Sequence, residues 1–204
     1  MTTSPAKRRV DPEKAAGRRN QVLEAAAVCF ARSGFHGASM SEISKQAGMS
    51  AGHIYNYFDG KNAIILAFVE AHSEYVSDML SNLNSLEDPL QTMIDDAERH
   101  VTEALDPQPW HVSIEMYAEA SRNPVIAERL RAHEDSARGQ LRELVRRGRE
   151  RRNLSVEDVL LDSRIDTMIA YFHGLTVRAL HRPDMNRAGL TEAFQVAMRA
   201  LLMT

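Results

Sequence analysis

Apolar residues return at intervals of three and four along nearly the whole chain, which is the spacing of one face of an α-helix. Val22, Ala25, Ala26, Cys29 and Phe30 predict a first helix that Asp11-Pro12 starts and Gly34 ends. Two short stripes follow, Ile43 with Ala47 and Ile54 with Phe58, so two short helices must pack on each other. Between them Gly48 supplies a residue free to take positive φ, Met49 fills the corner and Ser50 caps the next helix. From Lys61 a long pattern (Ile64, Ile65, Phe68, Val69, His72, Tyr75, Val76, Met79, Leu80, Leu83) meets no Gly or Pro until Pro89, predicting one uninterrupted helix. Asp88-Pro89 restarts a helix carrying Leu90, Met93, Ile94, Ala97, Val101 and Leu105, which Asp106-Pro107-Gln108-Pro109 stops. The next, from Trp110, ends at Asn123-Pro124, and a longer one with Ile126, Leu130, Leu141, Leu144 and Val145 runs to about Arg152. The last two, from Ser155 to about Leu180 and from Ala188 to Leu202, are the most apolar. The expected fold is all-α: an N-terminal three-helix helix-turn-helix domain over residues 1–60 and a C-terminal helical domain over residues 61–204.

The second short helix is too short to stand alone, and its outward face explains why it would be held in place. Ala51, Gly52, His53, Tyr55, Asn56 and Tyr57 are small at the leading end and rich in hydrogen-bonding groups behind, which suits a DNA major groove. Lys61 follows at the opening of the long helix, near where a phosphate would pass. Helix-turn-helix corners also occur in proteins that never meet DNA, and there Tyr55 and Tyr57 would be ordinary core aromatics.

The run GFHGASMSEISKQAGMSAGHIYNYFDGKNAII resembles the N-terminal domain of the TetR family of bacterial transcriptional regulators. The likeness rests on Gly34-Phe35, Ser39, Ile43, Ala47-Gly48-Met49-Ser50, Gly52, Tyr55-x-Tyr57-Phe58 and Lys61, and covers about the first third of the chain. Beyond it, only the layout of helices and Phe172-His173-Gly174-Leu175-x-x-Arg178 look similar. By position, the resemblance implies a DNA face of Ser39, Ser41, Ala51, Gly52, His53, Tyr55, Asn56, Tyr57 and Lys61. Ser39, Tyr55, Tyr57 and Lys61 suit phosphates, while His53 and Asn56 can reach base edges. Ala51 departs from the longer polar side chain of some members, which leaves fewer direct base contacts. The resemblance also implies that the last two helices pair with those of a second subunit, through Ile165, Met168, Phe172, Gly174, Leu190, Phe194, Met198 and Leu201. Gly174 inside a helix costs about 1 kcal/mol relative to Ala, tolerable where another helix approaches closely.

Charge sharpens this division of labour. The formal net charge is −3, yet residues 1–61 hold nine Lys and Arg against five Asp and Glu, +4, leaving 16 against 23, −7, for the remainder. The basic part is the part expected to meet a polyanion. Lys7-Arg8-Arg9 lie in a polar arm that either touches DNA or is a solvated tail. Arg138, Arg142, Arg146, Arg147, Arg149, Arg151 and Arg152 crowd one helix end, either as a solvated face favoured by the helix dipole or as a second DNA surface. A single cysteine, Cys29, allows no intrachain disulfide, and no apolar run reaches bilayer length, so a cytoplasmic protein without a membrane partner is expected.

Candidate chemistry narrows the function further. Eight His residues invite a metal reading, but there is no Glu-x-x-His pair and no His-Glu-x-x-His, and one cysteine cannot build a zinc site. Gly60-Lys61 lacks the first Gly and the following Ser or Thr of a phosphate loop, and there is no Gly-x-Ser-x-Gly elbow. No catalytic residue, metal or cofactor is expected. Met93, Ala97, His100, Trp110, Ile114, Met116 and Tyr117 combine adaptable Met with flat aromatics, a lining for a small effector or simply core. Excess acid in this domain leaves room for a cation stacked on Trp110 or Tyr117, but carboxylates are expected on the solvated face, favouring a neutral hydrophobic ligand. The resulting expectation is a homodimeric repressor released from a near-palindromic operator by a small hydrophobic effector. The rival is a helix-turn-helix DNA binder with a structural or activating role and no effector.

Overall fold

The computed structural model describes residues 12–106 and 110–204, and its chain divides into a first compact unit ending at Phe68 and a second running Val69–Thr204. The Lys7-Arg8-Arg9 arm, the Asp11 cap and the Pro107-Gln108-Pro109 stop lie outside the described residues.

The first unit is built on α1 (Pro12–Gly37), whose Val22, Ala26, Cys29 and Phe30 are sealed from water. Gly34 breaks that helix with φ 66° and ψ 173°, backbone that a residue with a Cβ adopts only under strain. The break turns Phe35 inward, where its ring meets Phe30 edge-on at 4.6 Å. Next comes α2 (Met40–Ala47), opened by a complete capping box in which Ser39 and Glu42 exchange side-chain and backbone bonds. It is closed by Gly48 in the left-handed region, φ 63°. Then α3 (Ala51–Ile54) starts at Ser50, whose hydroxyl accepts from the His53 N–H. Finally α4 (Lys61–Asn84) seals the unit with Ile64 and Ile65, while Phe68 meets Phe30 edge-on at 5.8 Å. The first two turns of α4 therefore belong to the first unit's core, and the divide falls inside the helix rather than at its start.

In the second unit, α4 is followed by α5 (Pro89–Asp95), α6 (Ala97–Leu105), α7 (His111–Ala120), α8 (Pro124–Glu150), α9 (Asp158–His181) and α10 (Arg187–Met203). Where the apolar spacing predicts one helix over Leu90–Leu105, Asp96 (φ −76°, ψ 10°) divides it in two. Its carboxylate makes no cap bond to the backbone and is held instead by Arg99 at 2.8 Å. Asn123 caps α8 as its sequence position suggests, accepting from Val125 and Ile126 N–H groups.

α8 organises this unit. Its Leu141, Leu144 and Val145 join Leu90, Ile94, Val101, Ile165, Met168, Phe194 and Met198 in one core. Apart from the exposed Arg151, the arginines near its end are engaged within the chain. Arg138 grips Asp166 at 2.6 Å, Arg142 grips Asp162 at 2.7 Å, Arg146 holds Glu143 at 2.8 Å, and Arg152 pairs with Asp88. Arg149 is 1% exposed, and its guanidinium donates to the carbonyls of Ser155, Leu202 and Thr204 at 2.8–2.9 Å. Arg164 donates to Ala200 and Leu201 carbonyls at 2.8 Å, so the last turn of α10 is closed by two cations where the dipole favours them.

Half of the expected subunit-contact residues turn out to be core. Ile165, Met168, Phe194 and Met198 are each 0% exposed within a single chain, and Phe172, Leu190 and Leu201 pack partly against the same core. An apolar stripe at helical spacing marks a buried face without saying which neighbour buries it, and here α5, α6 and α8 do. Outside, α9 leaves Gly174 and Val177 with Val159, Leu160 and Leu180 nearer its ends, and α10 leaves Ala193, Val196 and Ala200.

The tightness around α8 generates a paired test. A Cβ on Gly148 would meet Leu90 Cγ at 2.5 Å, with Leu90 itself fully buried, whereas one on Gly139 of the same helix meets nothing within 4 Å. Gly148→Ala is expected to destabilise by about 1–3 kcal/mol through overpacking. Gly139→Ala is expected to stabilise by up to about 1 kcal/mol through helix propensity. Urea midpoints of the two variants check both signs.

Candidate DNA interface and effector cavity

The corner between α2 and α3 holds its shape through groups contributed by its neighbours. Ile43 and Ile54 are 0% exposed, and Ala47 and Phe58 are buried with them. From α1, Gln21 Nε2 donates to the Ala47 carbonyl at 2.8 Å, closing the end of α2. Arg19, also from α1, lays its guanidinium 4.3 Å above the Phe58 ring and donates to the Tyr57 carbonyl at 3.4 Å. Neither residue carries a sequence signal for this work, since both are polar positions on the exposed side of a helical pattern.

α3 proper is a single turn. Beyond Ile54 the bonding is mixed: Asn56 and Tyr57 N–H groups bond carbonyls three residues back, at 3.2 and 2.9 Å, while those of Tyr55 and Phe58 reach four back, each at 3.1 Å. The surface expected from residues 51–58 is thus one α-turn extended by mixed three- and four-residue turns.

Above this floor the expected DNA-face residues come together on one side. Ala51, Gly52, His53, Tyr55 and Asn56 are exposed, Tyr55 by 53%, so it is no core aromatic. Tyr57 is half-buried, and its hydroxyl lies 3.3 Å from His53 Nε2 with the rings stacked at 5.5 Å. A Cβ on Gly52 would meet nothing within 4 Å, so nothing inside the chain calls for glycine there. Ser41 is exposed at the start of α2. The Ser39 hydroxyl is engaged by Glu42, whose carboxyl is held below its ordinary range by the Ser39 backbone and hydroxyl bonds. Lys61 is anchored too: Nζ donates to the carbonyls of His36 and Ala38 at 3.3 and 3.0 Å. An ammonium has three protons, so one remains for an outside acceptor.

In the second unit the expected effector residues scatter. Met93, Ala97 and Met116 are buried in packed core. His100 sits edge-on to Phe172 at 5.5 Å and beside Phe194 at 6.0 Å. Tyr117 Oη lies 3.3 Å from His173 Nε2, its hydroxyl pushed up by burial and the nearby Glu134. Ile114 is half-buried on α7, and Trp110 reaches a cavity of about 330 Å³ lined by His72, Tyr75, Glu103, Asp106, Trp110 and Ser113. α4, α6 and α7 supply these side chains. The sequence offers no apolar periodic signal for Glu103, Asp106 or Ser113, because all three are polar: Glu103 is exposed on α6, Asp106 caps its end and Ser113 is buried on α7. Among the described residues, no group of three or more His, Cys, Asp or Glu could hold a metal ion, and no helix is long and apolar enough to cross a membrane.

Residues 22–68 match the model of the bacterial regulatory proteins of the tetR family, and residues 88–203 match that of the C-terminal part of BetI-type transcriptional repressors. The chain is 30% identical over 88 residues to the transcriptional repressor AcnR of Corynebacterium glutamicum, covering 43% of this chain and 46% of that protein. It is 29% identical over 119 residues to the transcriptional regulator UidR of Escherichia coli, covering 55% and 57%. The matches thus span about half the length of these curated relatives. Salmonella enterica GusR superposes with a TM-score of 0.75 at 23% identity, covering 92% of this chain and 96% of that one. Bacillus subtilis FadR in complex with stearoyl-CoA superposes with a TM-score of 0.71 at 18% identity, over 90% and 97%. At these identities the two structures establish the fold.

Burial of imidazoles in the second unit has a measurable consequence. His72, His100 and His173 are all pushed below the ordinary histidine value by burial, His72 further by the neighbouring His173 and His133 and His100 by Arg99. Below about pH 6.5 the unfolded chain then takes up protons that the folded chain refuses, so stability falls with falling pH. The urea midpoint at about pH 5.5 is expected below that at about pH 7.5, and His72→Leu should lessen the difference. A midpoint that holds or rises on acidification contradicts the burial argument.

Proposed function

Because the chain belongs to the TetR family of bacterial regulatory proteins, we propose that this transcriptional regulator is a repressor that binds a near-palindromic operator as a homodimer and leaves it when a small molecule occupies the second unit. The observation that carries the DNA half is the exposed side of α3. Gly52, His53, Tyr55 and Asn56 stand outside a turn whose inner residues are fully used, and Gly52 has no internal reason to lack a side chain. Close approach of a DNA backbone supplies that reason. Tyr55 and the third proton of Lys61 serve phosphates, and Nδ1 of His53 and the Asn56 amide serve base edges.

The repressor reading draws on AcnR, a repressor over its matched half, and the effector reading on the cavity beside Trp110. FadR, of similar fold, is solved in complex with stearoyl-CoA, and the cavity of about 330 Å³ here suits a smaller molecule. Its occupant touches His72 and Tyr75 of α4, the helix whose first residue, Lys61, holds the corner of the head. A tenfold loss of operator affinity requires about 1.4 kcal/mol of preference for the released state. Self-association falls to the face that α9 and α10 leave open, Gly174, Val177, Ala193, Val196 and Ala200, where small side chains let helices approach.

Two experiments test this reading. In anisotropy titrations with operator DNA, Lys61→Ala should weaken binding to all sequences and lessen the salt slope by about one unit, and His53→Ala should relax preference at one base position by about 1–3 kcal/mol. Unchanged binding by both variants rules out this DNA face. For assembly, Val196→Lys, at a position 65% exposed, should leave a folded monomer in sedimentation, because the new charge would be buried only in the dimer. A dimer that survives this change places the interface elsewhere.

A further inference from the structure

The reading of α3 as a DNA face leaves open which base edge it selects, and the pairing of His53 with Tyr57 narrows the choice. The two lie four residues apart with their rings stacked, centroids 5.5 Å apart and planes 27° from parallel, and Tyr57 Oη is 3.3 Å from His53 Nε2. Both backbones are held. The His53 N–H donates to the Ser50 carbonyl and the Tyr57 N–H to the Ile54 carbonyl, each at 2.9 Å, while Arg19 of α1 closes the Tyr57 carbonyl at 3.4 Å. His53 itself is exposed and Tyr57 half-buried beside it.

Bond direction decides the chemistry of this pair. A phenol O–H is a better donor than a neutral imidazole N–H, and the bare nitrogen of the imidazole is a better acceptor than the phenol oxygen. The favoured bond therefore runs from the Tyr57 O–H to His53 Nε2, which places the ring proton on Nδ1. In the imidazolium both nitrogens carry protons, so Nδ1 is a donor in that form as well. His53 thus offers a donor at Nδ1 whatever its charge. Without the hydroxyl, either nitrogen is free to hold the proton, and Nδ1 accepts as readily as it donates.

We propose that His53 selects guanine in each half-site and that Tyr57 is the positioning residue that fixes this choice, an inference that rests on the DNA-face reading. Guanine presents two adjacent acceptors in the major groove, N7 and O6, whereas adenine sets an amino donor beside its N7, cytosine presents an amino donor, and thymine pairs one acceptor with a methyl group. A donor of fixed sense is met best by guanine. The bond to His53 also removes Tyr57 from the phosphate contacts expected of it, because its single proton is spent and the remaining lone pairs repel a phosphate oxygen.

The test selects random duplex DNA with the full-length wild type, Tyr57→Phe and His53→Ala. The wild type should enrich guanine at one symmetry-related position, and Tyr57→Phe should lose that preference by about fivefold or more while keeping the rest of the motif, as His53→Ala does. Nitrogen NMR of the His53 ring in the DNA-free protein at alkaline pH gives a readout that a purely structural role would not move: Nδ1 should carry the proton in the wild type, and Tyr57→Phe should shift it toward Nε2. Circular dichroism checks the fold of the variants. A wild type that enriches no base at any position overturns the DNA-face reading and this inference with it. A motif whose His53-dependent position is not guanine, or whose guanine survives unchanged in Tyr57→Phe, overturns the inference alone, as does a proton on Nε2 in the wild type. Uniform weakening of Tyr57→Phe on all sequences with a smaller salt slope makes Tyr57 a phosphate contact and overturns it likewise.

Discussion

A four-residue helix has too few bonds to pay for its own nucleation, and the rest of the first unit answers to that constraint. α3 exists because Ile54 and Phe58 anchor it from below, Ser50 opens it, Gly48 turns the chain into it, and Arg19 closes its far end over the Phe58 ring. Gln21 and Lys61 do the same for the neighbouring carbonyls at Ala47, His36 and Ala38. With every inward group satisfied, the outward groups are left for something else. A surface organised without its partner costs little ordering entropy on binding, which is what the proposed DNA face requires of a segment of one turn.

The second unit shows the opposite economy. Its longest helix, α8, consumes almost everything the sequence places on it: apolar residues go to the core, Arg138 and Arg142 to the aspartates of α9, and Arg149 to the carbonyls that end α10. Much of the apolar surface is spent inside the protomer, and the cavity beside Trp110 is modest in size with Glu103 and Asp106 at its edge. What α9 and α10 leave exposed is a mixture of small residues and a few scattered aliphatic ones.

Local rules were legible where one residue decides the backbone. Gly34 and Gly48 adopt positive φ, Ser50 and Asn123 cap, and Ile43, Ala47, Ile54 and Phe58 lie inside, all as their types and spacing require. The Ser39-x-x-Glu42 capping box was also written in the chain, although the hydroxyl alone draws attention. Three things were hidden because they depend on tertiary neighbours. Periodicity marks a buried stripe on α9 and α10 but not that α5, α6 and α8 cover Ile165, Met168, Phe194 and Met198. A basic cluster does not reveal that facing aspartates neutralise it. Residue type and spacing do not disclose that Glu103, Asp106 and Ser113 converge on Trp110, nor that Met93 and Ala97 fill core instead.

The claim on which the account turns is that the outward side of α3 reads base sequence, twice, in a dimer. Selection of random duplex DNA by the wild-type protein at about physiological salt addresses it without knowledge of any natural target. The account expects enrichment of an inverted repeat whose half-sites are centred roughly one helical turn, about 34–36 Å, or a multiple of it apart. A pool that remains random after selection, bound only through salt-dependent backbone contacts, would contradict it.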